Sequence, residues 1–441
     1  MAILSTIILA RLLTPEDFGI VALGTTIMVI ISSVTEMSMA NALIHHDDPT
    51  DQHLQTAWTL GVARGVALAA IMAVGAAPFA KIYGDPRLEL VMYAFAFSIL
   101  ASGFLNPRQA MLTRDLKFHQ EFLLLVTSKL VTAALSIGLA IAWETYWAMI
   151  VGTLAGQIVT IGLSYALLPF RPRFNWQHTR ELFSFSVWLT FGQAMNTINW
   201  RFDQLLVGGV LGTGALGHYS VGSNLAQVPT REISNPLKTT LFPALARLKH
   251  EPDRLRFAYQ RAQSLIVMIA LPMGIGLALI ARDVVTLTMG EDWLPAVPVI
   301  QALSSVFALQ TLGSLIQPLG MGLGHTKLLF VRDTQMLFIR LPIIIAGTLW
   351  FGLIGLVYSR VLSGMIGLFI QMALVRKMTK LSVQSQLSVN WRSLSAAAFM
   401  AVAVTLYQSL SPTVGTGAIN LIIGITKSIC LGAFTYTTTT A

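Results

Sequence analysis

The sequence carries little charge for its length. Asp, Glu, Lys and Arg make up 11% of its 441 residues, whereas hydrophobic residues make up 54%. A soluble domain carries about 25% charged residues, because its surface must face water. This composition excludes a soluble enzyme, a disordered chain and a fibrous repeat. The apolar runs are continuous rather than alternating, which favours an all-α polytopic membrane protein over an outer-membrane barrel.

Cysteine and the common catalytic motifs are also missing. The single cysteine, Cys430, excludes an intrachain disulfide and a cysteine-based metal site. The sequence has neither the G-x-x-x-x-G-K-[ST] motif for ATP nor the G-x-S-x-G motif for a serine nucleophile. Residues 250–254 (HEPDR) begin like a zinc-protease motif but lack its second histidine. We therefore expect no enzyme activity and no cofactor.

Fourteen apolar stretches predict about 14 membrane spans. Most are long enough to cross about 30 Å of hydrocarbon at about 1.5 Å per residue. The first would reach only about 20 Å, so we interpret it as the second half of a helix whose beginning precedes this chain. Thr14 is expected to cap the second helix at Pro15. The stretches are 1–13, 18–40, 54–79, 88–105, 122–143, 147–168, 182–211, 215–237, 262–280, 296–323, 328–350, 353–375, 394–410 and 418–436.

The basic residues predict the orientation of the chain. A cytoplasmic N-terminus places 18 Lys and Arg in cytoplasmic connections and 4 in the opposite connections. This bias is typical of multi-pass membrane proteins. It explains the net charge of +9 without nucleic acid, because the basic residues are spread over many loops. In the most basic connection, residues 247–261 are expected to form a helix at the membrane surface.

The two halves of the sequence resemble each other. Residues 12–19 (LLTPEDFG) match 210–217 (VLGTGALG) at an offset of 198. Two further matches, beginning at residues 83 and 106, have offsets of 206 and 211. The repeat predicts six-helix bundles over residues 1–169 and 182–376, followed by an appended helix pair over residues 392–437. Because six is even, we expect a pseudo-two-fold axis along the membrane normal and a cavity between the halves.

Several segments resemble a known family. Residues 11–19 (RLLTPEDFG) are similar to the end of helix 1 in bacterial polysaccharide exporters of the Wzx type, and parts of 203–219 are similar to their helix 7 to 8 segment. Residues 241–245 (LFPAL) and 290–295 (GEDWLP) also resemble that family. The resemblance covers about residues 7–375 and places the chain in the superfamily of MATE exporters and the lipid II flippase.

This resemblance implies a flippase of the bacterial inner membrane. Its substrate would be a polyisoprenyl-diphosphate-linked oligosaccharide, moved from the cytoplasmic to the periplasmic leaflet by alternating access for O-antigen or exopolysaccharide biosynthesis. The implied partners are the lipid-linked oligosaccharide, membrane lipid, H⁺ or Na⁺ as coupling ion, and the polysaccharide polymerase and chain-length proteins.

Ionisable residues within the apolar stretches are the candidate site residues, because charge at membrane depth is costly. Five basic residues are candidates for binding the substrate: Arg64, Lys129, Arg201, Arg340 and Arg360. Asp203 is the candidate for ion coupling. Arginine binds a diphosphate through paired hydrogen bonds, and lysine binds it as a point charge. This basic excess favours a diphosphate lipid over a cationic drug, and a cation-coupled multidrug exporter of the same fold is the alternative function.

Several other interpretations stay open. Arg201 has the alternative of reaching the membrane surface or pairing with another helix. The positions of Glu36, Arg231 and Glu232 near cytoplasmic ends favour anchoring at the membrane surface, and a structural role is favoured for Lys427. The loop 45–53 (HHDDPTDQH) contains metal-ligand residue types, but short polar loops often do, and no metal site is predicted. A membrane polymerase or glycosyltransferase is disfavoured, since no long connection carries an evident catalytic set.

Overall fold

The computed structural model describes residues 2–34, 43, 49–115, 117–410 and 418–440, and every regular element within these ranges is helical. The predicted all-α class is therefore confirmed. Short 3₁₀ helices, Glu291–Ala296 and Thr311–Gly313, flank α10. The α-helices are α1 (Ala2–Leu12), α2 (Pro15–Val34), α3 (Asp51–Tyr83), α4 (Arg87–Gly103), α5 (Gln109–Arg114), α6 (Phe118–Trp143), α7 (Trp147–Leu167), α8 (Thr179–Arg247), α9 (Pro252–Thr288), α10 (Val297–Gln310), α11 (Ile316–Gly322), α12 (Thr326–Thr379), α13 (Val383–Ser388), α14 (Trp391–Leu410) and α15 (Ala418–Thr440).

Many of these helices are suited to a bilayer. In the described residues, nine helical segments are long and apolar enough to cross a membrane. The other predicted stretches, such as 1–13 and 88–105, also fall on helices. The helical character of the apolar stretches is thus confirmed where they are described, whereas the number of crossings stays a prediction.

Two of the longest helices are each kinked at a glycine. α8 is interrupted at Gly212, where φ is 84°, and α12 at Gly352, where φ is 60°. Residues with a Cβ atom are strained at such positive φ values, whereas glycine adopts them readily. The two glycines separate neighbouring apolar stretches of the sequence, so each kink divides what the sequence predicts as two helices.

The chain divides into two compact units, residues 1–217 and 218–441. In the first unit α3 packs on α4, and α6 packs on α7. Gly152 and Gly156 of α7 lie directly against Ser136 and Thr132 of α6, which lets these two helices approach closely. In the second unit α9 packs on α10, and α14 packs on α15. The three domain ranges derived from the repeat stay predictions.

The start of α2 is capped as expected from its sequence. Thr14 Oγ1 accepts a hydrogen bond from the Asp17 N–H at 3.3 Å, and Asp17 Oδ2 accepts one from the Thr14 N–H at 3.0 Å. Pro15 occupies the first helical position, where its missing N–H costs nothing. The reciprocal bonds satisfy main-chain groups that a helix start otherwise leaves unpaired.

Within the first unit, the matched segments of the repeat contact each other reciprocally. A Cβ atom added to Gly19 would overlap the carbonyl oxygen of Thr213, and one added to Gly217 would overlap that of Pro15. Thr213 is the repeat equivalent of Pro15, and Gly217 is that of Gly19, both at the offset of 198. An exchange of equivalent contacts is what a local two-fold axis produces. The main chains of the two segments touch at this point because Gly19 and Gly217 have no side chain.

Residues 247–261 do not form the single helix that we expected from their composition. Arg247 ends α8, and α9 begins at Pro252 and continues for 37 residues. Leu255 and Tyr259 of this basic segment are buried in the core of the second unit. The hydrophobic face of the segment therefore packs against protein, and its position at the membrane surface stays a prediction.

We predict that Gly19→Ala destabilises the protein. The added methyl group would overlap Thr213, and overpacking of this kind costs about 1–3 kcal/mol. The matched control is Gly162→Ala in α7, where no atom of the described residues lies within 4 Å of the added Cβ. Thermal unfolding of the purified protein in detergent measures both variants. A melting temperature for Gly19→Ala at or above that of the wild type would contradict the close contact.

Candidate functional site

In the first unit, Arg201 is held by a glutamine on its own helix. Arg201 Nη1 donates a hydrogen bond to Gln204 Oε1 at 3.2 Å, and the same oxygen accepts a bond from Thr26 Oγ1 of α2. Gln204 and Thr26 are buried, whereas Arg201 is half-buried. Residues three apart on a helix share a face, so α8 itself places Gln204 beside the guanidinium. The contact fixes the position of a group that offers five N–H donors.

Asp203 lies beside this contact and is more deeply buried. Its exposed fraction is 2%, and its Oδ1 accepts a hydrogen bond from the Gln204 N–H at 3.1 Å. A carboxylate at membrane depth costs about 2.5–3.5 kcal/mol on insertion scales. A carboxylate has the acceptor oxygens that bind H⁺ or Na⁺, and the role of Asp203 in ion coupling stays a prediction.

The other two candidates of the first unit differ in their surroundings. Arg64 on α3 is half-buried, and its Nη2 donates a hydrogen bond to the Ser32 carbonyl oxygen of α2 at 2.8 Å. Arg64 and Arg201 are thus both linked to α2, the latter through Gln204. Lys129 on α6 is exposed. The structure therefore links Arg64 and Arg201 to one helix, whereas Lys129 lies at the surface of α6.

In the second unit, Arg340 and Arg360 lie on the two halves of α12. Each arginine is 6% exposed. The halves fold back on each other at the kink, where the main chain of Gly355 lies against that of Gly347. The Arg360 guanidinium lies 5.9 Å from the ring centre of Phe307 on α10, a cation–π contact of about 0.5–2 kcal/mol. One helical hairpin thus carries two buried cations.

Sequence reasoning missed a buried polar group in the second unit. Arg332 is one of the 18 basic residues that the predicted orientation assigns to cytoplasmic connections, but it belongs to α12 and is 8% exposed. Its Nη2 lies 2.6 Å from Asp333 Oδ1 and 3.1 Å from Gln317 Oε1. Arg332 lies inside the apolar stretch 328–350, and this position in the sequence could have predicted that it belongs to a helix. Sequence reasoning also missed Gln204 and Thr26, which form the hydrogen-bonded contact with Arg201. Single neutral polar residues change the hydropathy of an apolar stretch only slightly.

In the loop 45–53, which contains metal-ligand residue types, the described residues 49–53 make packing contacts. Residues 45–48 lie outside the described residues. His53 Nδ1 accepts a hydrogen bond from the Thr50 N–H at 3.2 Å, and its ring stacks on His178 with 3.8 Å between the centres. Among the described residues, no group of three or more His, Cys, Asp or Glu is arranged to hold a metal ion.

The remaining charged candidates lie at the protein surface where they are described. Arg231 and Glu232 form an exposed ion pair at 3.2 Å. Lys427 on α15 is exposed. Glu36 lies outside the described residues. Surface anchoring by Glu36, Arg231 and Glu232 and a structural role for Lys427 stay predictions.

Comparisons with known proteins point to polysaccharide biosynthesis. The model of a family described as "Polysaccharide biosynthesis protein" matches residues 8–298. The chain is 24% identical to the lipopolysaccharide biosynthesis protein WzxC of Escherichia coli K12, over 79% of this chain and 72% of that protein. It is 23% identical to the succinoglycan biosynthesis transport protein ExoT of Rhizobium meliloti, with 73% and 66% covered. It is 26% identical to the teichuronic acid biosynthesis protein TuaB of Bacillus subtilis, with 69% and 64% covered.

Solved structures identify the fold. The inward closed conformation of the lipid II flippase MurJ superposes with a TM-score of 0.76, at 14% identity, over 99% of this chain and 95% of that one. An inward-facing MATE multidrug transporter gives a TM-score of 0.64, at 14% identity, over 87% and 96%. The predicted multi-pass membrane fold is therefore confirmed. Because the family model covers more than half of the chain, the protein belongs to the polysaccharide biosynthesis protein family.

Proposed function

We propose that the protein is a flippase of the bacterial inner membrane, with its N-terminus in the cytoplasm. Its substrate is a polyisoprenyl-diphosphate-linked oligosaccharide for O-antigen or exopolysaccharide biosynthesis, which it moves from the cytoplasmic to the periplasmic leaflet by alternating access. One observation carries the proposal: Arg64, Arg201, Arg340 and Arg360 are buried or half-buried on the helices of a transporter fold. The polysaccharide-related descriptions of WzxC, ExoT and TuaB support it.

The chemistry of the substrate explains why cations are needed. A diphosphate cannot leave the headgroup layer unless its negative charge is compensated, because hydrocarbon does not solvate ions. Arginine compensates this charge with paired hydrogen bonds. In each unit an arginine is held in place before the substrate arrives, Arg201 by Gln204 and Arg360 over Phe307. Groups held in this way lose less conformational freedom on binding, which leaves more of the interaction energy for the substrate.

In this proposal the ionisable residues have two roles. Arg64, Lys129, Arg201, Arg340 and Arg360 attract the diphosphate and its sugar. Asp203 binds H⁺ or Na⁺ and so couples transport to an ion gradient. The polysaccharide polymerase and chain-length proteins are the proposed partners on the far side of the membrane.

The second candidate function is a cation-coupled multidrug exporter, which the fold of the MATE transporter favours. The buried arginines argue against it, because they would repel an organic cation. Overexpression separates the two functions. Resistance to cationic dyes with unchanged surface polysaccharide would support the exporter, and restored surface polysaccharide without dye resistance would support the flippase.

We predict that Arg64→Ala, Lys129→Ala and Arg340→Ala each reduce polysaccharide export. Each removes one positive charge from the proposed path, and a hydrogen bond to a charged group is worth about 1.5–3 kcal/mol, or roughly ten- to a hundredfold. Export is measured in a strain that lacks the gene and carries each variant at the wild-type protein level. Lys427→Ala removes an exposed charge of α15 and is the control. Full export by all three variants would rule out the role of the basic residues.

Variants of Gln204 test the positioning of Arg201 apart from its charge. Gln204→Met removes the acceptor oxygen but keeps the arginine charged, so we expect a raised KM with a smaller change in kcat. Gln204→Glu places a carboxylate beside the guanidinium and neutralises it, so we expect a loss as large as that of Arg201→Ala. Transport rates measured in liposomes at several substrate concentrations give the KM and kcat of each variant and of the wild type. Equal kinetics for Gln204→Glu and the wild type would contradict a role for this charge.

We expect Asp203→Asn to abolish the dependence of transport on an ion gradient. Asparagine keeps the size of the side chain and its acceptor oxygen but cannot bind a proton or a cation as a carboxylate does. The control is Asp253→Asn, because this aspartate lies at the exposed start of α9. Transport into liposomes is followed with an imposed H⁺ or Na⁺ gradient and without one. If transport by Asp203→Asn depends on the gradient as strongly as transport by the wild type, a residue other than Asp203 couples the ion.

A further inference from the structure

The second unit contains a basic pocket that is separate from the buried arginines. It lies where the start of α9 meets the end of α12 and has a volume of about 450 Å³. Three separate stretches of chain line it, and five of the lining side chains carry a positive charge or an imidazole ring. These side chains are Lys249, His250, Arg256, His325 and Lys380. No carboxylate is among the lining residues in the part of the chain that the structure describes.

One of these cations holds the pocket together. Arg256 Nε donates a hydrogen bond to the Thr379 carbonyl oxygen at 2.7 Å, which ties α9 to the last residue of α12. Arg256 Nη1 lies 3.0 Å from Asp253 Oδ1, so its charge is partly compensated. Lys249 and Lys380 have no carboxylate within 4.0 Å among the described residues. The pocket therefore keeps an excess of positive charge that its own residues do not neutralise.

The backbone conformation of Lys380 independently supports a functional role for its side chain in this pocket. Lys380 directly follows the last residue of α12, and its φ of 65° and ψ of 8° lie in the left-handed region. Its N–H donates a hydrogen bond to the Arg376 carbonyl oxygen at 2.9 Å. Glycine or asparagine is usual at this position, because other residues are strained there. A cation near a helix C-terminus is favourable, but Arg376 and Lys377 already supply that charge from the last turn. A strained residue at the wall of a pocket indicates a role for its side chain.

We propose that this pocket binds a phosphate-bearing anion. Two lysines, which have no ionic partner among the described residues, and an anchored arginine line a space large enough for one or two phosphate groups. Lysine binds phosphate as a point charge, and arginine binds it through directed N–H donors. The ligand comes either from the headgroup of an anionic lipid or from a soluble phosphate compound. The proposal does not depend on the flippase function, because the pocket shares no residue with the proposed transport path.

Binding to the purified full-length protein tests the proposal with both sources of phosphate. Inorganic pyrophosphate, titrated at constant ionic strength, represents the soluble source. Phosphatidylglycerol, compared with phosphatidylcholine and counted as bound lipid by native mass spectrometry, represents the membrane source. We expect Lys249→Ala/Lys380→Ala to weaken binding at least tenfold for one or both probes. Lys377→Ala, which removes the same charge from the last turn of α12 outside the pocket, should change it less than twofold.

The pattern of results assigns the ligand or overturns the pocket. Lysine-dependent binding of phosphatidylglycerol alone identifies a lipid headgroup, and lysine-dependent binding of pyrophosphate alone identifies a soluble ligand. Dependence for both probes identifies a general phosphate site. If neither probe binds the wild type, or if the double variant binds both as tightly as the wild type, the proposal is wrong.

Lys380→Gly separates binding from folding. Glycine adopts the left-handed conformation without strain, so the melting temperature of this variant should equal or exceed that of the wild type. The affinity for the phosphate probe should fall at the same time, because the charge is lost. A lower melting temperature with unchanged affinity would show that Lys380 serves the end of α12 and would overturn its assignment to the pocket.

Discussion

Charge placement in this protein is governed by the inability of hydrocarbon to solvate an ion. Most Lys and Arg residues lie outside the apolar stretches of the sequence, as is usual in a membrane protein. Three of the arginines inside these stretches contact a neutral group. Arg201 contacts Gln204, Arg64 contacts the Ser32 carbonyl oxygen and Arg360 contacts the ring of Phe307. A neutral partner of this kind lowers the cost of a buried cation. In the proposed function these cations attract the anionic substrate.

The main chain obeys the same constraint. Every regular element that the described residues contain is a helix, which pairs its main-chain groups internally and needs no water. Without a hydrophobic drive between helices in lipid, close approach depends on small residues. Gly152 and Gly156 serve this purpose between α6 and α7, and Gly19 and Gly217 do so between the repeated segments. The last pair exchanges equivalent contacts, so the sequence repeat is visible as local two-fold packing.

The sequence predicts the backbone better than the site. Stretch length and composition predict the helices, and Thr14 with Pro15 predicts the start of α2, because these features are local. The charge count placed Arg332 in a connection and the composition predicted one helix over residues 247–261, whereas Arg332 lies in α12 and α9 begins at Pro252. Candidate charges can be found in the sequence, but their partners cannot. Thr26 meets Gln204 only through tertiary packing across 178 positions.

The most direct test of the account is a translocation measurement with the purified protein in liposomes. A polyisoprenyl-diphosphate-linked oligosaccharide is placed in one leaflet, and its appearance in the other is followed with a sugar-specific probe that cannot cross the bilayer. The account predicts translocation by the wild type and its loss when Arg201, Arg340 and Arg360 are replaced together by alanine in a protein that still folds. Translocation that is unaffected by these replacements, or transport of cationic dyes without transport of the lipid-linked sugar, would contradict it.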